Sequence, residues 1–129
     1  MHAVDTNVLV RLLTGDDAEQ TRRAAALFKD EPIFIAKTVL LETEWVLRRL
    51  YGLERAALVS ALRKVCGLPN VEIETPLVVT RALQWCEAGM DFADALHLAS
   101  SRSGAKFATF DVQLKKSAPK EVKAAVVLL

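Results

Sequence analysis

Apolar runs too short for a helix alternate along this chain with amphipathic stretches long enough for one. Met1-His2-Ala3-Val4 ends at Asp5 and gives way to a helical pattern, Val8 to Leu13, stopped by Gly15. Asp16 and Asp17 stand as caps for a second helix running to about Lys29, with Ala24, Ala25, Leu27 and Phe28 on one stripe and Glu19, Arg22 and Arg23 on the wet side. Pro32 closes that helix, and Ile33-Phe34-Ile35-Ala36 reads as a buried strand, like the first. Strand, helix and strand at this spacing form a parallel crossover unit. The fold class that follows is α/β, a sandwich of helices around a central, mostly parallel sheet.

The remaining elements fit the same plan. Thr38 is expected to cap a third helix, Val39 to Tyr51, ended by Gly52; Glu54 to Val65 gives a fourth, with Gly67 past its end. Val71 to Glu74 is a short strand, and Pro76 opens a fifth helix to about Glu87, with Gly89 as its stop. Asp91 opens a sixth helix through Arg102, and Lys106 to Phe110 is a strand ending at Asp111. The turn into Val112 follows, and Ala124 to Leu128 is the last strand. No linker or repeat interrupts the pattern, and 129 residues suffice for one domain, 1–129, with its own core.

Bulk properties exclude several classes. Seventeen basic residues against sixteen acidic ones give a net charge of +1, so a polyanion must be met by a local patch and not by the whole surface. Cys66 and Cys86 lack the spacing of a zinc site or a disulfide framework. No charged leader precedes the first strand, and no apolar run approaches the roughly 20 residues that span a bilayer, so a soluble cytoplasmic protein is expected. At 52% hydrophobic the chain has apolar side chains beyond the needs of a core. Trp45, Leu50, Tyr51, Leu53 and Leu58 suit either core packing, the simpler account, or a face for self-association or a partner's helix.

Four carboxylates lie where a structural role does not fully account for them. Asp5 and Asp111 each end a strand, at the edge where open parallel sheets place their ligands, although each also suits a helix cap. Glu44 has Arg48 four residues on and reads as a surface pair. Glu42 shares its face with Val39, Trp45 and Val46 and has no base in reach, so it either escapes to water at the stripe's edge or meets something positive. Asp94 sits with Met90, His97 and Leu98, and either pairs with His97 or joins the acids. Four such groups at one edge would repel each other strongly without a divalent cation. All-oxygen ligation selects a hard ion, Mg²⁺ or Mn²⁺. With no Ser-His-Asp or Cys-His set in the chain, metal-assisted hydrolysis is the chemistry that remains.

Asp5-Thr6-Asn7 after an initial strand, Leu40-Leu41-Glu42 in an apolar helix, Asp91-Phe92-Ala93-Asp94-Ala95-Leu96-His97-Leu98-Ala99, and Thr109-Phe110-Asp111 together resemble the PIN-domain ribonucleases, and within them the VapC-type toxins of toxin-antitoxin pairs. The resemblance covers the chain in order, with Phe110 standing where the family's motif often carries Arg or Asn. It implies a PIN-like sandwich, a metal held by Asp5, Glu42, Asp94 and Asp111, and support from Thr6, Asn7 and Thr109. It also implies an RNA substrate, a cognate antitoxin and a homodimer. Arg11, Lys37, Lys115 and Lys116 lie near the acids in sequence and are the candidates for substrate phosphates, each equally readable as ordinary surface charge. Two other readings share the fold class: a Mg²⁺-dependent phosphoacceptor signalling domain, and a catalytically inactive PIN-like binding module. The first lacks adjacent acids at the first strand's end and a strand-end Lys.

Overall fold

In the computed structural model, which describes residues 1–129, the chain parts into two compact units, Met1–Pro76 and Leu77–Leu129. The expected parallel crossover occurs twice in the first. Strand β1 (His2–Ala3) leads through helices α1 (Thr6–Thr14) and α2 (Ala18–Asp30) to β2 (Ile33–Ile35). From β2 the chain runs through α3 (Lys37–Arg49) and α4 (Arg55–Cys66) to β3 (Val71–Ile73). The strands pair in the order β1-β2-β3, all parallel, with His2 opposite Ile33 and Ile33 opposite Val71. Central β2 therefore buries Ile33 and Ile35 completely. Expected to be buried, β1 is instead an exposed edge: His2 and Ala3 are open to solvent and Val4, just after the strand, is the first core residue. An edge strand has a neighbour on one side only, and two residues give the helices little to cover.

The core of this unit is filled by Leu9 and Val10 from α1, Phe28 from α2, and Leu58, Val59 and Leu62 from α4. Helix α3 contributes Leu40, Thr43, Glu44 and Leu47, the reverse of the expected face. Glu44, read from sequence as a surface residue, is only 3% exposed, while Glu42 and Trp45 are exposed. Two polar groups make the inversion tolerable. The Thr43 hydroxyl donates to the Val39 carbonyl at 2.7 Å, and the Glu44 carboxylate accepts from Arg48 Nε at 2.9 Å. The helix also starts earlier than expected, at Lys37, so Thr38 is not its cap. Ala36 occupies that position without a side-chain bond, and Glu74, just after β3, supplies the acceptor through Oε1 to the Lys37 amide at 2.9 Å.

A second polar knot joins α1 to the start of α2. Arg11 donates from Nε to Gln20 at 2.7 Å, and from a terminal nitrogen to Asp16 at 3.0 Å and to the Tyr51 hydroxyl at 3.3 Å; Tyr51 in turn donates to Asp16. The bond from Tyr51, aided by Thr14 and Arg11 against some desolvation, holds the Asp16 carboxyl below the usual carboxylate range.

In the second unit α5 (Pro76–Glu87), which opens at the boundary, and α6 (Phe92–Ser100) bury Leu83, Trp85, Phe92 and Leu96. Strand β4 (Phe107–Thr109) pairs in parallel with β5 (Val126–Leu128) after a crossover through two short helices, α7 (Val112–Ser117) and α8 (Lys120–Lys123). Sequence periodicity resolves neither helix, since a single turn or two gives it too little to count. Pro119 stands at the N-cap of α8, so the last strand begins later than expected and Ala124 and Ala125 lie in the turn before it. Helix α6 likewise stops at Ser100, short of Arg102, with the Ser101 hydroxyl closing onto the Leu98 carbonyl at 2.7 Å. The Lys115 ammonium donates to the backbone carbonyls of Val126 and, at 3.2 Å, of Lys123, tying α7 to β5. No helix in the chain is long and apolar enough to cross a membrane.

The Glu44–Arg48 pair gives a direct check on the inverted face of α3. Arg48→Met should lower unfolding stability by about 2 kcal/mol, because it strands a buried carboxylate. Adding Glu44→Leu should recover most of that loss, and urea denaturation of the single and double variants reads both changes.

Candidate active site

The first amides of a helix have no partner inside it, and at α1 and α7 this chain meets them with aspartates set just after strands. Asp5 follows β1 and caps α1, its Oδ1 accepting from the Val8 amide at 3.2 Å. Asp111 follows β4 and caps α7, its Oδ1 accepting from Gln113 at 2.8 Å and from Leu114 at 3.1 Å. Both residues are exposed. The cap fixes each carboxylate through one oxygen and leaves Oδ2 for a further partner, so capping and cation binding do not compete.

In the first unit the residue next to Asp5 carries the link onward. Thr6 is buried, and its hydroxyl donates to Oε1 of Glu42 on α3. Glu42 is exposed, the outcome in which it reaches water at the edge of its stripe, and the Thr6 hydroxyl holds it there. Asp5, Thr6 and Glu42 thus join the end of β1 to α3. Asn7 lines a groove between α1 and α2 together with Val8, Arg11, Gln20, Arg23 and Leu27.

In the second unit Asp91 caps α6 by accepting from the Asp94 amide at 3.1 Å. Asp94 is half-buried, and its carboxyl is pushed up first by desolvation and then by the negative charges of Asp91 and Asp111. His97, exposed on the same helix, opposes this as the smallest of the four influences. The second unit therefore brings Asp94 within electrostatic reach of Asp91 and Asp111. Thr109 supports Asp111 through the backbone, its Oγ1 accepting from the Asp111 amide at 3.0 Å, and the intervening Phe110 stands 81% exposed.

The four basic candidates divide. Arg11 is engaged by Asp16, Gln20 and Tyr51, and Lys115 by two backbone carbonyls. Lys37 is half-buried at the start of α3, and Lys116 is exposed on α7. Two acids escaped the sequence reading. Asp91 was accounted for as a cap, yet three residues before Asp94 it also acts on that carboxyl, as the helical repeat allows. Glu74 follows β3 as Asp5 follows β1, a signal visible in the strand pattern once β3 is placed.

In neither unit do three or more His, Cys, Asp or Glu side chains form a ready-made metal cage. The donors on offer are carboxylate and hydroxyl oxygens, which suit a hard divalent ion and not zinc. The crowding at Asp94 is of the kind such an ion relieves.

No curated protein matches the chain. A similar solved structure is that of VapC20 of Mycobacterium tuberculosis, described as a sarcin-ricin loop cleaving toxin. It is 25% identical, with 93% of this chain and 97% of that one covered, at a TM-score of 0.45. A family model described as PIN domain matches residues 3–118. That match runs from β1 to the end of α7 and takes in Asp5, Glu42, Asp94 and Asp111, and the chain belongs to the PIN-domain family.

Proposed function

We propose that this PIN domain is a divalent-metal-dependent endoribonuclease, the toxin of a toxin-antitoxin pair, with Mg²⁺ or Mn²⁺ held by Asp5, Glu42, Asp94 and Asp111. The observation that carries the reading is the setting of Asp94: a half-buried carboxyl raised first by its own desolvation and then by two neighbouring acids, and opposed only weakly by a histidine. A fold keeps such repulsion where a cation is to be bound. When bound, the ion would activate water for attack on a phosphodiester and stabilise the leaving oxygen.

The chain's own residues supply position. The caps at Asp5 and Asp111 hold one carboxylate oxygen each, so neither side chain has to be ordered at the moment of binding. Thr6 orients Glu42 with its hydroxyl, and Thr109 fixes the turn that presents Asp111. Asn7, one residue after Thr6 and lining the α1–α2 groove, is proposed to support the same site. Arg11, Lys37, Lys115 and Lys116 are the basic groups proposed to meet substrate phosphates, with Arg11 and Lys115 also acting as braces in the absence of RNA. The proposed antitoxin blocks the acidic site, the chain forms a homodimer, and all of this takes place in the cytoplasm.

Incubating the protein with Mn²⁺ and a set of structured RNAs tests the activity. Cleavage should be abolished by a chelator and reduced about 100-fold or more by Asp94→Asn or Glu42→Gln, while Thr6→Val should cost about tenfold. Intact RNA under all conditions sinks the nuclease reading. The toxin role has its own measurement: expression of the unaltered chain should arrest growth, and Asp94→Asn should not.

The repulsion at Asp94 gives a prediction free of any activity. Its folded-state carboxyl titrates above the unfolded one, so it binds its proton more readily when folded. Stability is therefore full below the unfolded pKa and is lost as the pH rises through the raised value. In metal-free protein at pH 7, Asp94→Asn should raise the melting temperature by about 2 °C, as for a solvent-screened pair of like charges worth about half a kcal/mol. The gain should vanish as the pH falls below the carboxylate range. Calorimetry across pH follows both, and a loss of stability on substitution would assign Asp94 to the packing of α6 instead.

A further inference from the structure

Phe110 is a large apolar side chain left almost fully in water, 81% exposed, on a backbone that is fixed on both sides. Before it, the Thr109 carbonyl accepts from the Leu129 amide at 2.9 Å within the β4–β5 ladder. After it, the Asp111 amide is bonded to Thr109 Oγ1 at 3.0 Å and the Asp111 carboxylate is locked onto α7. The ring is thus carried on a rigid turn between a strand and a helix, beside a proposed metal ligand. Leaving such a ring unburied forgoes folding stability that a packed position would have supplied.

Charge along the surrounding stretch of sequence is lopsided. Residues 102–123 hold six Lys and Arg against two acids, while the rest of the chain holds eleven against fourteen. Lys115 and Lys123 spend their ammonium groups on backbone carbonyls. Arg102, Lys106, Lys116 and Lys120 are exposed. An exposed aromatic within a locally basic stretch combines the two forces that hold an unpaired nucleic-acid strand, stacking for the base and Coulomb attraction for the phosphates. The exposed Val112, Leu128 and Leu129 close to it would also suit a protein partner, and the basic excess is what favours RNA.

We infer that Phe110 is a stacking platform for an unpaired base of the RNA, with phosphates on either side of that base met by the exposed side chains of Lys106, Lys116 and Lys120. The inference rests on the ribonuclease reading and adds to it which strand state is recognised and where. Phe110 would select single-stranded or looped RNA, because a base already paired and stacked in a duplex offers the ring no free face.

Fluorescence anisotropy of a labelled single-stranded RNA, with Ca²⁺ in place of Mn²⁺ to prevent turnover, measures this. Phe110→Ala and Phe110→Leu should each weaken binding about tenfold, Phe110→Trp should bind as well as the unaltered chain, and a duplex of the same sequence should bind all four equally. Equal single-strand binding by the Leu and Phe forms overturns the inference alone, since it leaves the ring with no role beyond bulk. So does a change of oligomeric state on Phe110→Ala with RNA affinity unchanged, which assigns the ring to a protein contact. Failure of the unaltered chain to bind or cut any RNA overturns the ribonuclease reading and this inference with it.

Discussion

The bond between an aspartate oxygen and the free amides of a helix is the interaction on which this architecture turns. At Asp5 and Asp111 it does three things in one step, ending an extended segment, starting a helix and setting a carboxylate in a fixed position, and at Asp91, which follows a turn, it does the last two. A cap of this kind contributes about 1 kcal/mol to a helix, and for α1, α6 and α7, none of them long, that is a sizeable share of what makes them form. Because only one oxygen is used, the arrangement that stabilises the helix also exposes a negative group at its start. Structure and chemistry are served by the same side chains, and the helix dipole partly offsets the charge they carry.

That economy explains what was legible in the sequence. An acid at the start of a helix is a local signal, readable at Asp5 and Asp111 after a strand and at Asp91 after a glycine turn, without knowing the fold. Parallel pairing was legible too, since short apolar runs separated by helices have few other ways to pair. Two faces were not. The pattern of α3 puts Val39, Trp45 and Val46 around Glu42 as convincingly as it puts Leu40, Thr43 and Leu47 around Glu44. What decides between them is a hydroxyl bonded within its own helix and a buried ion pair to Arg48, both of which make polar residues acceptable inside. A rule that treats Glu and Thr as wet by default will choose the wrong side of such a helix.

The site was legible in its parts and less so in their connections. Thr6 reads in the sequence as support for the acids without saying which; its hydroxyl goes to Glu42, 36 residues away. Arg11 and Lys115 looked like charges waiting for phosphate, and both are engaged in holding secondary structure together. Side chains with long reach find partners that linear spacing does not reveal, and a cation near an acid in sequence is often committed elsewhere. The basic excess after residue 102 was hidden by a net charge close to neutral, in which an acidic majority elsewhere cancels it.

The bond from Glu74 to the Lys37 amide has a bearing on how the first unit assembles. Helix α3 carries no cap of its own, and the acceptor that completes its first turn arrives only when the chain 37 residues further on has returned to lie beside β2. The beginning of α3 is thereby made contingent on the register of β3: a slip of one residue in that strand would carry the carboxylate away and leave the amide bare. A helix wired in this way reports on the correctness of a distant strand, and the half-assembled crossover gains little from forming it early.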